Sequence, residues 1–181
     1  MIKGKQVTLR PAIEQDKYEI FKWLAESDVT VSMMGPPKFP DNLVPTWEEF
    51  CADYKQYYFD DSAPELGRCF VIMVNDIPVG QVNYNDIHQN KHRTELDIWM
   101  SCEMNCGKGY GPDAIQALCE YLFQTYGVIE FVIRPSERNP RAVHAYKKAG
   151  FRRIDISHEE LIIEYGPGDT HDTVLLIKQM S

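Results

Sequence analysis

The sequence predicts a single domain of the mixed α+β class, and three observations lead there. Its 181 residues are enough for one ordinary domain with a closed core. Segments with apolar residues at helical spacing alternate with short β-branched runs, as in a sheet covered by helices. An early hairpin followed by a third strand departs from regular βαβ alternation, so the sheet is mixed rather than purely parallel. No repeat, low-complexity tract or Gly/Ser linker marks a boundary, so residues 1–181 are expected to form one domain.

Taken in order, Val7–Arg10 reads as a short opening strand, and Asp16–Ala25 clusters Ile20, Phe21, Trp23 and Leu24 on one helical face. Gly35–Pro45 is a Pro-rich loop. Thr46-Trp47-Glu48-Glu49 is a capping box, in which hydroxyl and carboxylate satisfy each other's backbone donors, and it predicts a helix from Trp47 to about Tyr58. Cys69–Val74 and Pro78–Tyr84, joined by the turn-forming Asn75-Asp76, read as an antiparallel hairpin. In Thr94–Ser101, Leu96, Ile98 and Met100 alternate with Glu95, Asp97 and Trp99, so Asp97 lies on the face opposite the first set. A glycine-rich turn, Gly107-Lys108-Gly109-Tyr110-Gly111, then leads through Pro112 into a helix carrying Ile115, Leu118, Cys119 and Leu122. Val128–Ile133 reads as a strand, Pro140–Ala149 as a helix closed by Gly150, and Phe151–Ile156 and Asp172–Lys178 as the last strands.

Composition narrows the function classes. Nineteen Lys+Arg against 27 Asp+Glu give a net charge of −8, which supplies no basic surplus for phosphate backbones or anionic lipid. Nucleic-acid and membrane partners are therefore not expected. No apolar run reaches a membrane span, and Met1–Arg10 lacks the apolar centre of a signal peptide, so a cytoplasmic protein is expected. Five cysteines without framework spacing fit a reducing compartment.

The glycines at 107, 109 and 111 leave backbone amides unshielded at the positive end of the following helix, which makes a seat for phosphate. The same glycines also suit a tight turn that needs only their backbone angles. Gly-Lys-Ser/Thr is absent, and the third glycine is too close for a dinucleotide fingerprint.

A second segment, Asn139-Pro140-Arg141-Ala142 followed by Tyr146 and Gly150-Phe151, completes a two-part pattern with the glycine turn. In this the chain resembles the GNAT acetyltransferase superfamily, over roughly Trp99 to Phe151. The resemblance implies a seven-stranded mixed sheet whose central strands splay apart, about four flanking helices, and acetyl-CoA as co-substrate in the gap. It implies that amides of Cys106, Gly107, Lys108, Gly109, Tyr110 and Gly111 bind the CoA diphosphate, with Asn139, Ala142 and Tyr146 also at the cofactor. Backbone of Met100 and Ser101 would pair with the pantetheine arm. One departure is Cys106, which stands where the family has arginine or glutamine.

Acetyl transfer needs a deprotonated amine and a proton for the departing thiolate. Tyr146, at the family's tyrosine position, is the implied acid, though a helix tyrosine can also simply pack on the sheet. Among members of the superfamily the chain is most similar to aminoglycoside 6'-N-acetyltransferases, which carry an aspartate at the spacing of Asp97. That resemblance makes Asp97 the residue that holds the reacting ammonium; a solvent-facing strand aspartate is the alternative. From Asp41 to Leu66 there are seven acidic residues and one basic, and from Ile154 to Ile177 six acidic and none basic. Such a field draws a polycation, and it also describes an ordinary solvated surface. Trp23, Trp47, Tyr57, Tyr58 and Tyr84 offer flat faces for a sugar ring or cation, and Tyr84 and Asp172 join Asp97 as candidate substrate contacts. A second departure is Arg134, where the aminoglycoside enzymes tend to be acidic.

Cys102 with Cys106, and His88 with His92, each lack the second half of a zinc site, so no metal is expected. Cys106 has no general base nearby in sequence, which favours direct transfer over an acetyl-enzyme. The expected acceptor is a cationic small-molecule amine, the 6'-amine of an aminoglycoside antibiotic, which would make the enzyme a resistance determinant. A protein N-terminus or a polyamine is the alternative acceptor, a non-catalytic acyl-CoA-binding module the alternative class, and a monomer or homodimer the expected assembly.

Overall fold

The computed structural model describes residues 1–34, 44–88, 92–168 and 172–181. Most of the predicted Pro-rich loop, residues 35–43, lies outside these, as do residues 169–171. The described strands form one sheet in the order β1-β2-β3-β4-β5-β6-β8-β7. They are β1 Ile2–Lys3, β2 Thr8–Pro11, β3 Gly67–Val74, β4 Ile77–His88, β5 Arg93–Met100, β6 Glu130–Ile133, β7 Arg152–Ile154 and β8 Leu175–Gln179. All pairs are antiparallel except β5 with β6. The expected mixed architecture is present with eight described strands instead of seven; the extra one is the two-residue edge strand β1, too short to show alternation.

The described helices are α1 Lys17–Ala25, α2 Thr30–Met34, α3 Trp47–Asp53, α4 Tyr57–Asp60, α5 Tyr110–Tyr126, α6 Pro140–Lys148 and α7 His158–Tyr165. That is more than the four expected, because α2, α4 and α7 are short. The capping box starts α3 as predicted, with Thr46 Oγ1 accepting from Glu49 N at 3.2 Å and Glu49 Oε2 from Thr46 N at 2.8 Å. The predicted helix does not reach Tyr58 unbroken, since Tyr54 leaves helical geometry at φ −82°, ψ 78° and α4 starts afresh. Two hydroxyl bonds to β4 go with the break: Tyr54 Oη donates to Asn83 Oδ1 at 2.9 Å and Tyr58 Oη to Asn85 Oδ1 at 2.6 Å. The β3–β4 hairpin turns through Asn75 and Asp76, both at positive φ as a tight hairpin requires.

Both faces of the sheet are covered. Against one, α5 and α6 pack Ile115, Leu118, Leu122 and Tyr146 onto Leu96, Ile98, Phe131 and Leu176. Against the other, α1, α3 and α4 pack Ile20, Phe21, Trp23, Phe50 and Phe59 onto Cys69, Val71 and Trp99. Trp99, on the face away from Leu96, is therefore buried too, and Asp97 sits in that row between cores rather than on a bare surface. Among the described residues no helix is long and apolar enough to cross a membrane.

Candidate active site

The sheet opens in one place. β5 pairs with β6 only from Arg93–Glu130 to Glu95–Val132, and beyond Glu95 the parallel strands part. Among the described residues no strand pairs with the β6-facing edge of Ile98 and Met100. Ser101 N donates back to Val79 O on β4 at 2.9 Å, so the alternation of an antiparallel pair turns the amide and carbonyl of Met100 toward the gap. Of the two residues named for the pantetheine arm, Met100 turns its backbone toward the gap and Ser101 gives its amide to β4. Gly80 permits this edge to form: a Cβ there would come within 2.5 Å of Trp99 O. The amide of Ile98, which also faces the gap, donates to Asp97 Oδ1 at 2.9 Å.

Just past β5 lies the glycine turn. Gly107 and Gly109 adopt φ of +73° and +87°, conformations that side-chain-bearing residues rarely take, and Gly109 caps α5. Among the described residues, no protein acceptor takes the amides of Gly107, Lys108, Gly109, Tyr110 or Gly111. Five N–H groups therefore remain for a ligand at the positive end of a 17-residue helix. Cys106 is a correction to the expected set: its amide donates to Glu103 O at 3.0 Å. Its thiol is pushed up by burial, which keeps it protonated and unsuited to attack. Asp113, in the first turn of α5, accepts from the amides of Lys5, Gln6 and Val7 at 2.9, 2.6 and 3.0 Å and fixes the turn on its outer side.

Across the gap, α6 begins at Asn139, whose Oδ1 accepts from Ala142 N at 3.0 Å. This bond makes Asn139, one of the two residues named for the cofactor, the cap of α6, and it engages the amide of Ala142, the other. From α6, Tyr146 enters the main core at 8% exposure, with no hydrogen-bond partner for its hydroxyl among the described residues. Burial, and then the nearby charge of Asp97, push its pKa up. The charge of Asp97 thus reaches Tyr146 from the other face of the sheet.

The wall around Asp97 is polar and aromatic. Asn83 is its cross-strand partner on β4; Asn83 Nδ2 donates to Asn85 Oδ1 at 2.7 Å, which links Tyr54, Asn83, Asn85 and Tyr58 in one network. Of these, only Tyr58 was singled out in the sequence, as a flat face for a sugar ring or cation. The signal was present, because Gln81, Asn83 and Asn85 recur at period two in an otherwise apolar strand. Tyr84, expected at the substrate, has the opposite parity: it is 1% exposed in the main core and its hydroxyl donates to Pro64 O at 2.7 Å. Asp172 has other occupations too, accepting from Arg138 Nε at 2.6 Å and Ser136 Oγ at 2.8 Å, which ties it to the loop before α6.

Arg134 grips Glu95 through Nε and Nη2 at 2.7 and 2.8 Å and donates to Gly166 O at 2.9 Å. The cation that stood out in sequence is thus neutralised by the neighbouring strand. A further ion pair joins the two sides of the gap: Arg141 of α6 contacts Glu103 at 2.5 Å and Ser32 Oγ at 2.9 Å, and Ser32 donates to Glu103 at 2.6 Å. Among the described residues no cluster of three metal-ligating side chains occurs.

The model of the Acetyltransferase (GNAT) domain family matches residues 6–152. Aminoglycoside N(6')-acetyltransferase type 1 of Klebsiella pneumoniae is 28% identical over 158 residues, 81% of this chain and 74% of that protein. A kanamycin resistance protein of Rhizobium radiobacter is 45% identical over 58 residues, 32% of this chain and 54% of that one. In fold, the chain is similar to AAC(6')-Ib solved with ribostamycin and coenzyme A, at TM-score 0.71 and 23% identity, covering 97% and 94% of the two chains. It is similar at TM-score 0.69 and 21% identity to spermidine N-acetyltransferase of Vibrio cholerae solved with CoA and spermine, covering 96% and 95%.

Proposed function

The chain belongs to the GNAT acetyltransferase family, and from that membership we propose that it transfers acetyl from acetyl-CoA to the 6'-amine of an aminoglycoside, the chemistry of antibiotic resistance. The observation that carries the proposal is the parting of β5 from β6 beside five unengaged amides, with Asp97 on the parting strand and Tyr146 on α6, which packs against the same sheet. When bound, acetyl-CoA supplies an activated acyl group on a thiol leaving group.

The residues present fit that co-substrate. A diphosphate matches the amides of Gly107 to Gly111, with exposed Lys108 adding charge, and an extended amide-bearing arm matches the free edge at Met100. Asp97 holds the acceptor ammonium by charge and takes up its proton, directly or through water, as the nitrogen attacks. Tyr146 remains protonated at neutral pH, because burial, and then the charge of Asp97, oppose ionisation, and so can donate to the departing sulfur. The acidic runs before β3 and before β8 favour a polycationic acceptor.

The test is thiol release from acetyl-CoA with kanamycin as acceptor, and mass spectrometry of the product. Acetylation at the 6' nitrogen supports the reading; no turnover across an aminoglycoside panel rejects the acceptor. A second reading, a polyamine acceptor, is favoured by the same acidic runs and by the likeness to spermidine N-acetyltransferase.

A further inference from the structure

Two buried donors stand beside Asp97 without partners. Trp99 follows Asp97 by two residues on the same face of β5, and Gln81 faces Trp99 across the β4–β5 pair. They are 5% and 0% exposed. Neither Trp99 Nε1 nor Gln81 Nε2 has a hydrogen-bond partner among the described residues. The orientation of the Gln81 amide is set by Cys69, whose Sγ donates to Gln81 Oε1 at 3.1 Å. Burial pushes the Cys69 thiol up, so it remains a donor and the Gln81 nitrogen remains the unmet atom.

An indole N–H and an amide NH₂ can only donate, so the pair calls for an oxygen acceptor. We propose that Trp99 and Gln81 form a specificity element that receives a hydroxyl oxygen of the acceptor substrate, one strand step, about 7 Å, from the amine held by Asp97. The proposal rests on the acetyltransferase reading and names its substrate class. A protonated polyamine carries N–H donors and methylenes and leaves both donors unmet. An amino sugar carries hydroxyls within that distance of its amine and satisfies them. A site built to bond a substrate hydroxyl discriminates strongly against an analogue lacking it. Tyr54, whose ring meets Trp99 edge-on at 5.8 Å, is the neighbouring side chain of the pair.

The test compares kcat/KM for kanamycin B, for 3',4'-dideoxykanamycin B and for spermidine. The unmodified protein is expected to favour kanamycin B over its dideoxy analogue by about tenfold or more, and over spermidine by at least as much. In Trp99→Phe and Gln81→Leu the ratio of kanamycin B to dideoxykanamycin B falls toward one. Equal turnover of the two aminoglycosides by the unmodified protein overturns the proposal, even if neither variant folds. An unchanged ratio in folded variants overturns it as well, and marks the pair as the seat of a trapped water. Both results leave the acetyltransferase reading intact. No turnover of any acceptor, with no binding of acetyl-CoA, overturns the two together.

Discussion

Tyr146 is placed in the core, yet its hydroxyl bonds to nothing described there. Phe in its place removes no hydrogen bond, so Tyr146→Phe is expected to leave the unfolding midpoint nearly unchanged while turnover falls by about 10² to 10⁴. Thermal melts alongside acetylation rates check both halves. Asp97→Asn is expected to cut kcat/KM by a similar factor, with acetyl-CoA affinity unchanged in a calorimetric titration, as the role proposed for the carboxylate at the amine requires. The strand alternation in the sequence already put Asp97 on the face away from Leu96. The side of Tyr84 was not legible, because it depends on which β5 residue lies opposite; the register pairs Tyr84 with Leu96 and Asn83 with Asp97. Arg134 likewise looked like an unmatched cation until the β5–β6 register brought Glu95 beside it.

Among the elements, the glycine turn and α5 were legible from glycine spacing and helical periodicity, because local geometry alone demands them. At Gly107 an added Cβ would meet nothing within 4 Å, so Gly107→Ala is expected to cost only the left-handed backbone strain, about 1 kcal/mol. Acetyl-CoA affinity is expected to drop about tenfold or more, since the strained amides no longer converge; equilibrium unfolding and calorimetry separate the two effects. The break between α3 and α4 was not legible, because it answers to Asn83 and Asn85 far along the chain. The helix α7 was overlooked although Ser157 and Glu160 form a capping box that the sequence displays.

The clamp between α6 and the turn after β5 makes a pH prediction. Hydrogen bonds from Arg141, then Ser32, hold the Glu103 carboxyl down at about 2. A carboxyl lowered in the folded state stabilises it above the unfolded value of 4.5, and that contribution fades as pH falls from there toward 2. The stability gap between the native protein and Glu103→Gln should therefore be constant from pH 5 to 7 and close below about pH 4. A gap independent of pH across that range would contradict the assignment. The pair is largely solvent-screened, so the gap is expected to be small.

For the whole molecule, acidity and architecture act together. A net charge of −8 repels the anionic cofactor and attracts a cationic acceptor, so the local amide seat has to outweigh the global field for one substrate only. Raising ionic strength is accordingly expected to weaken kcat/KM for a polycationic acceptor while leaving acetyl-CoA affinity equal or improved. The fold class and the acidic character were legible at this scale, and the gap came only with the family resemblance; the number of short elements was not legible, because tertiary contacts rather than periodicity sustain them. The claim on which the rest depends is that the parted strands β5 and β6 seat acetyl-CoA on the amides of Gly107 to Gly111 and the edge of Met100. Amide hydrogen exchange with and without acetyl-CoA tests it most directly. Protection concentrated in peptides spanning residues 98–112 is the predicted result, and saturating cofactor without protection there would contradict the account.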